Sequence, residues 1–159
     1  MEIAFRPLRH ADLPAASALW HQGWHDAHAS VVPEALTALR TLANFHERLA
    51  RDISRSRAAV AGEALLGFSI LKENEVYQFY VAPGARGTGA AGALMADAEA
   101  QLRAAGHKSA WLACTVGNVR AGRFYEKSGW HRAATETMSF ETSGAPFPLK
   151  VWRYEKALA

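Results

Sequence analysis

At 159 residues, half of them apolar and 21% charged, the chain has the composition of a folded globular domain with a real core and not of a disordered segment. Its formal net charge of +3 is scattered without a lysine- or arginine-rich run, which argues against nucleic acid as a partner, and no apolar run nears the roughly 20 residues that cross a bilayer, which excludes a membrane span. The single cysteine, Cys114, rules out an internal disulfide; with no basic and apolar leader in residues 1–6, a reducing cytoplasm is the expected location.

Residues 3–8 are predicted to form a first strand, with Ile3 and Phe5 on one side. Asp12 stands where it would N-cap the next helix, Pro14 is tolerated in its first turn, and Leu13, Ala16, Trp20 and Trp24 share a face. Val31-Val32-Pro33 interrupts. A second helical region follows with Leu36, Leu39, Phe45, Leu49 and Ile53, as one bent helix or two short ones. From Arg57 the period shortens, and residues 58–61 and 64–71 around Gly62-Glu63 predict a hairpin. Asn74 marks another turn, and residues 75–81 the next strand, on which strict alternation sets Glu75, Tyr77, Phe79 and Val81 to one side. A helix through Ala91, Leu94, Met95, Ala98 and Leu102, stopped near Gly106, leads to a strand at 110–116. That β-α-β connection makes its two strands parallel, whereas segments 133–141 and 149–154 read as antiparallel. The expected fold class is α+β (α/β): one domain over residues 1–159, with a mixed, mostly antiparallel sheet, a central β-α-β unit and flanking helices.

Residues 78–92 carry the clearest chemical signal. A strand runs through a Pro/Gly turn into Arg86, then Gly87, Gly89 and Gly92, then a helix. Small residues leave amides uncovered at the helix N-terminus, where the positive end of the macrodipole attracts anions, and Arg86 adds a fork suited to phosphate oxygens. A diphosphate ligand is the natural reading. Two phosphate-binding patterns fail. Gly87-x-Gly89-x-x-Gly92 matches the dinucleotide fingerprint, but the strand at 110–116 has no acid to hold a ribose. Gly84 to Gly89 has P-loop spacing, yet Ala90 and Ala91 stand where lysine and a hydroxyl belong.

A third pattern, Arg/Gln-x-x-Gly-x-Gly/Ala, reads here as Arg86-Gly87-Thr88-Gly89-Ala90-Ala91 and resembles the acyl-CoA pyrophosphate loop of the GNAT N-acetyltransferase superfamily. Further on, Asn118-Val119-Arg120-Ala121-Gly122-Arg123-Phe124-Tyr125-Glu126-Lys127-Ser128-Gly129-Trp130 is similar to that family's second signature, with Trp130 replacing its final phenylalanine. The resemblance implies acetyl-CoA as co-substrate, no metal, and direct acetyl transfer to a primary amine of a small molecule or peptide. It implies that the amides of Gly87, Thr88, Gly89, Ala90 and Ala91, with Arg86, hold the diphosphate. Phe79, Tyr80 and Val81 would present backbone groups to the pantetheine arm, and Asn118 would contact the cofactor, a role its sequence position shares with helix N-capping.

Two residues are candidate acid–base groups. Glu75 lies six residues before Val81, where some branches of the family place a catalytic glutamate; a solvated strand-end glutamate is the competing reading. Tyr125 stands where the family's tyrosine protonates the departing thiolate and contacts the cofactor; the competing role is helix packing. Tyr77 is read as a core or substrate-lining aromatic, with a water-relay ligand as the fallback role. His21, His25 and His28 recur at i, i+4 and i+7, but Gly23 and the break before Pro33 argue against a helix persisting to His28 and so against a metal site. Trp20, Trp24, His25 and His28 are instead expected to shape the substrate pocket. A non-catalytic acyl-CoA sensor and a protein N-terminal or lysine acetyltransferase remain the alternatives. Exposed edges of a mixed sheet also leave room for a homodimer.

Overall fold

The structure is a computed structural model that describes residues 2–158. The chain runs β1 (Ala4–Pro7), α1 (Leu13–His28), α2 (Glu34–Leu39), α3 (Leu42–Arg51), β2 (Ser56–Ala61), β3 (Ala64–Lys72), β4 (Glu75–Val81), α4 (Ala90–Ala104), β5 (Ser109–Thr115), α5 (Val119–Lys127), β6 (His131–Phe140) and β7 (Phe147–Ala157). All seven strands join one sheet in the order β1-β2-β3-β4-β5-β7-β6. Its neighbouring strands are antiparallel except β4 and β5, the pair linked through α4. The mixed sheet and the parallel central pair match the sequence-based expectation.

Helices cover both faces. On one, α1 and α3 pack through Leu13, Trp20, Trp24, Phe45 and Leu49 against Phe68 and Ile70 of β3. On the other, Leu94 of α4 meets Ala59 and Leu66, while Met95, Ala98 and Leu102 join Val76, Leu112 and Tyr154. An ion pair fixes α4 to β2, with Arg57 donating to both Asp97 carboxylate oxygens at 3.1 and 2.8 Å.

Two local expectations are corrected, and one left open is decided. Helix α1 is continuous to His28, with Gly23 inside it. The reason is tertiary: a Cβ at Gly23 would stand 2.7 Å from Cδ1 of Tyr80, so the bare backbone lets that ring pack onto the helix. Asp12 does not cap α1; its carboxylate takes both Arg6 guanidinium nitrogens at 2.7 and 3.0 Å and the Arg9 amide at 2.8 Å. The region after Pro33 forms two short helices, broken at Arg40 and restarted by Thr41, whose side chain accepts from the Asn44 amide.

A third correction bears on the site. Register along β3 and β4 pairs Ile70 with Gln78 but Leu71 with Val76, so Tyr77 is an extra residue on β4. Such a bulge breaks the alternation and re-aims side chains. Tyr77 therefore joins Tyr80 against the α1–α3 core, while Val76 and Phe79 face the α4–α5 side. Trp20 is also displaced from its expected role. It is fully buried, with ring centroids 4.9 Å from Phe45 and 5.8 Å from Phe68, and does not reach the cleft. Truncating it to alanine should cost about 3–5 kcal/mol in chemical denaturation, the loss typical of a large buried aromatic.

Candidate active site

Strands β4 and β5 are joined by the single pair Glu75 and Trp111, where the Trp111 amide donates to the Asn74 carbonyl at 3.2 Å, and they part beyond it. A cleft of about 810 Å³ opens between them, reaching from the N-terminus of α4 to the α1–α3 side of the sheet. That size suits a small-molecule ligand. One wall is backbone. The Ala82 amide donates to Leu66 on β3 at 2.7 Å, so by alternation the N–H and C=O groups of Phe79 and Val81 face the opening towards β5, while those of Tyr80 are engaged with β3.

At the mouth, Gly87 and Gly89 adopt φ of +78° and +84°, a left-handed conformation that suits glycine. The Ala93 amide makes the first bond of α4, to Gly89 at 3.0 Å, which places the amides of Ala90, Ala91 and Gly92 ahead of any helical acceptor. A Cβ at Gly87, Gly89 or Gly92 would meet open space, so the cradle is unobstructed. The Thr88 side chain does not line it. Its hydroxyl bonds the Ala85 carbonyl and accepts from the Ala90 amide at 3.3 Å, bracing the turn from behind. Arg86 is exposed at the rim, and α5 adds Arg120 and Lys127, one i, i+7 stripe that the sequence reading missed although its helical spacing was visible.

Tyr125 lines the cleft from α5, its ring 5.7 Å from Phe124 and 5.6 Å from Tyr154. Its hydroxyl makes no hydrogen bond among the described residues, and burial pushes its pKa well above the usual phenol range. Asn118 caps α5 by accepting from the Ala121 amide at 3.4 Å and also borders the cleft, so the capping and lining roles coexist. Cys114 is buried beneath, its thiol pushed up to about 12 by desolvation. It is therefore inert at neutral pH.

The other end of the cleft is lined by Trp24, His28, Tyr77 and Tyr80. His28 stacks on Trp24 at 4.9 Å, and its Nδ1–H donates to the Trp24 carbonyl at 2.9 Å. Burial pulls its pKa down to about 4, so the ring is neutral. His25 points elsewhere: its Nε2–H donates to the Arg40 carbonyl at 2.7 Å, and it does not line the cleft. The His21 and His25 rings lie 4.5 Å apart, but His28 is turned to Trp24, and no metal-binding group of three forms among the described residues. Sequence reading did not single out Arg40 and Arg48, which are 3% and 4% exposed and line this end. Arg48 donates to the Tyr77 hydroxyl at 3.0 Å and lies 3.6 Å from Glu141, which a second arginine, Arg51, also binds. These arginines hold the Glu141 carboxyl down at about 2.

Glu75 sits at the vertex where β4 and β5 separate, bordering both the main cleft and a smaller cavity lined by Arg55, Lys72 and Trp111. Desolvation raises its pKa to about 7, against the opposing pull of Lys72 and Arg153. A carboxyl poised there can exchange a proton near neutral pH.

A model of the acetyltransferase (GNAT) family matches residues 17–130. The chain belongs to this family. Uncharacterized N-acetyltransferases of Mycobacterium bovis and Mycobacterium tuberculosis are 36% identical to it over 84 residues, and the match spans 53% of this chain and 54% of theirs. The chain thus spans about half the length of the curated relatives it matches. Solved GNAT structures share the fold over nearly the whole chain. A GCN5-related N-acetyltransferase from Rhodopseudomonas palustris aligns with a TM-score of 0.76 at 21% identity, covering 99% of this chain and 96% of that one. The PaiA N-acetyltransferase of Thermoplasma acidophilum, solved with coenzyme A, aligns at 0.74 and 20% identity over 99% of both chains.

The raised pKa of Glu75 makes stability depend on pH. Folding favours the protonated form, so its contribution is whole below about 4.5 and is lost as pH rises through about 7. Glu75→Gln should therefore match wild type near pH 4 and exceed it at pH 8, by roughly 1–2 kcal/mol once partial exposure is discounted. Denaturant unfolding at the two pH values measures the difference.

Proposed function

We propose that the chain is an acetyl-CoA-dependent N-acetyltransferase that transfers the acetyl group directly to a primary amine within a ternary complex. The observation that carries this reading is the parted β4–β5 pair with a glycine-lined amide cradle at its mouth. Uncovered amides at the start of α4 and the cations Arg86, Arg120 and Lys127 fit a diphosphate. Exposed backbone groups on Phe79 and Val81 fit a pantetheine arm, which bears two amides able to extend strand-like pairing. The family and the coenzyme A in the Thermoplasma neighbour support the same assignment.

When bound, acetyl-CoA supplies an electrophilic thioester carbonyl and a thiolate leaving group. An N–H from the free edge of β4, at Phe79 or Val81, polarises that carbonyl's oxygen. Glu75, directly or through water, takes the proton that the amine loses as its nitrogen bonds the acetyl carbon. The C–S bond breaks, and the Tyr125 hydroxyl gives its proton to the sulfur. Burial disfavours the phenolate, so this transfer depends on the positioning of the hydroxyl at the sulfur and not on the acidity of the phenol. Proton donation by a positioned side chain contributes on the order of 10²–10⁴ in rate.

Calorimetry should show acetyl-CoA binding to wild type and its loss in Gly89→Glu, where a strained backbone and a carboxylate occupy the cradle. Absence of wild-type binding would refute the proposal. With a panel of amines and thiol-release detection, Tyr125→Phe should lower kcat by about 10²–10⁴ while retaining acetyl-CoA affinity. The wild-type kcat/KM should rise with pH through about 7 as Glu75 loses its proton, and Glu75→Gln should abolish that rise. Binding without thiol release on any amine or peptide would instead mark a sensor.

A further inference from the structure

Arg40 is a buried cation without an ion-pair partner among the described residues. It is 97% buried by its 3% exposure, yet no carboxylate lies within 4.0 Å of its guanidinium among the described residues. Its side-chain hydrogen bond goes to the neutral Asn44 Oδ1 at 3.3 Å, and its Nε is buried with no partner. Buried charges in proteins are ordinarily paired, and an isolated one is costly.

Neighbouring acids do not supply the missing anion. Glu141 is bound by Arg51 and flanked by Arg48. Asp52 pairs with Lys72 at 3.2 Å and lies 3.7 Å from Arg51. His28 is neutral, and Glu75 forms no ion pair with Arg40 within 4.0 Å. The inner end of the cleft therefore carries a surplus of fixed positive charge. Burial lowers the Arg40 pKa only to about 10, so the guanidinium stays charged at neutral pH. Its position is also held: its backbone carbonyl takes the His25 ring, and its guanidinium lies 5.8 Å from the centre of the Trp24 ring.

We propose that the amine acceptor is a small molecule that also carries a carboxylate, and that Arg40 binds this carboxylate at the inner end of the cleft. The proposal rests on the acetyltransferase reading and names its substrate class. A planar guanidinium fork matches a carboxylate in geometry, and one unpaired positive charge matches its single negative charge. With the carboxylate at Arg40, the amine is kept away from the arginines and directed towards β4 and Glu75. An acceptor whose only charge is its ammonium meets repulsion there instead, which selects against polyamines and simple alkylamines.

The test begins with acetyl-CoA calorimetry on the intact protein. Thiol release is then measured on α-, β- and γ-amino carboxylic acids, each beside its carboxamide and its decarboxylated amine. At least one acid should exceed both counterparts in kcat/KM on the order of 100-fold, the loss expected when a buried charge is left unpaired. Arg40→Gln should erase the preference of acid over carboxamide, and Arg40→Lys should raise KM for the acid while leaving kcat nearly unchanged. Acetyl-CoA affinity and thermal unfolding verify that each variant is folded. Carboxamides or plain amines reacting as well as the acids, acids unaffected in both variants, or acetyl-CoA binding with no acid turned over would each overturn the assignment. Failure of the wild type to bind acetyl-CoA would overturn the underlying acetyltransferase reading instead.

Discussion

A sheet normally satisfies its backbone by closing every gap between strands, and the unpaired edge inside this one is the constraint on which the rest depends. β4 and β5 meet only at Glu75 and Trp111. Beyond that pair, the N–H and C=O groups of the open edge need another partner, ligand or water, since a backbone group left unsatisfied costs about as much as a lost hydrogen bond. The bulge at Tyr77 contributes to the opening, because an added residue bends and twists its strand. The crossover helix α4 then starts at the mouth, placing the positive end of its dipole where the opening meets solvent.

Charge is arranged differently at the two ends of the cleft. At the outer end Arg86, Arg120 and Lys127 remain exposed and hydrated, so they can meet a multiply charged group without a large desolvation cost. At the inner end Arg40 and Arg48 are buried, and low polarity makes each of their interactions stronger and each unmet one more costly. Between them Glu75 is kept near neutrality by burial, not by a dedicated partner. The same desolvation that lets it exchange a proton near neutral pH also reduces stability at alkaline pH, a trade common at reactive sites.

A polar network ties the inner end to distant parts of the chain. Arg48 on α3, Tyr77 on β4, Glu141 after β6 and Arg51 on α3 share hydrogen bonds and ion pairs. Arg48 also lies over the Trp20 ring at 4.6 Å. Trp20 therefore supports the pocket from behind even though it does not line it. His25 acts similarly, through the Arg40 backbone.

The local structure of this protein was legible in the sequence. Helix periodicity, the glycine spacing from Gly87 to Gly92 and the Asn118–Trp130 signature located α4, α5 and the glycine turn between β4 and α4, because each depends on neighbours within a few turns of chain. The strand at Glu75–Val81 and its parallel partner followed from the length of the crossover. Side-chain direction did not follow. Alternation placed Tyr77 beside Phe79, and only pairing with β3 reveals the extra residue that moves it to the other face. Gly23 read as a helix breaker because the Tyr80 ring that fills its space lies far along the chain. Arg40 and Arg48 were not singled out, because neither residue type nor spacing could show that they are buried or that Arg40 lacks a counter-ion. Periodicity and turn chemistry are local properties that a sequence states directly; burial, register and charge balance are sums over distant residues, and only the folded chain performs them.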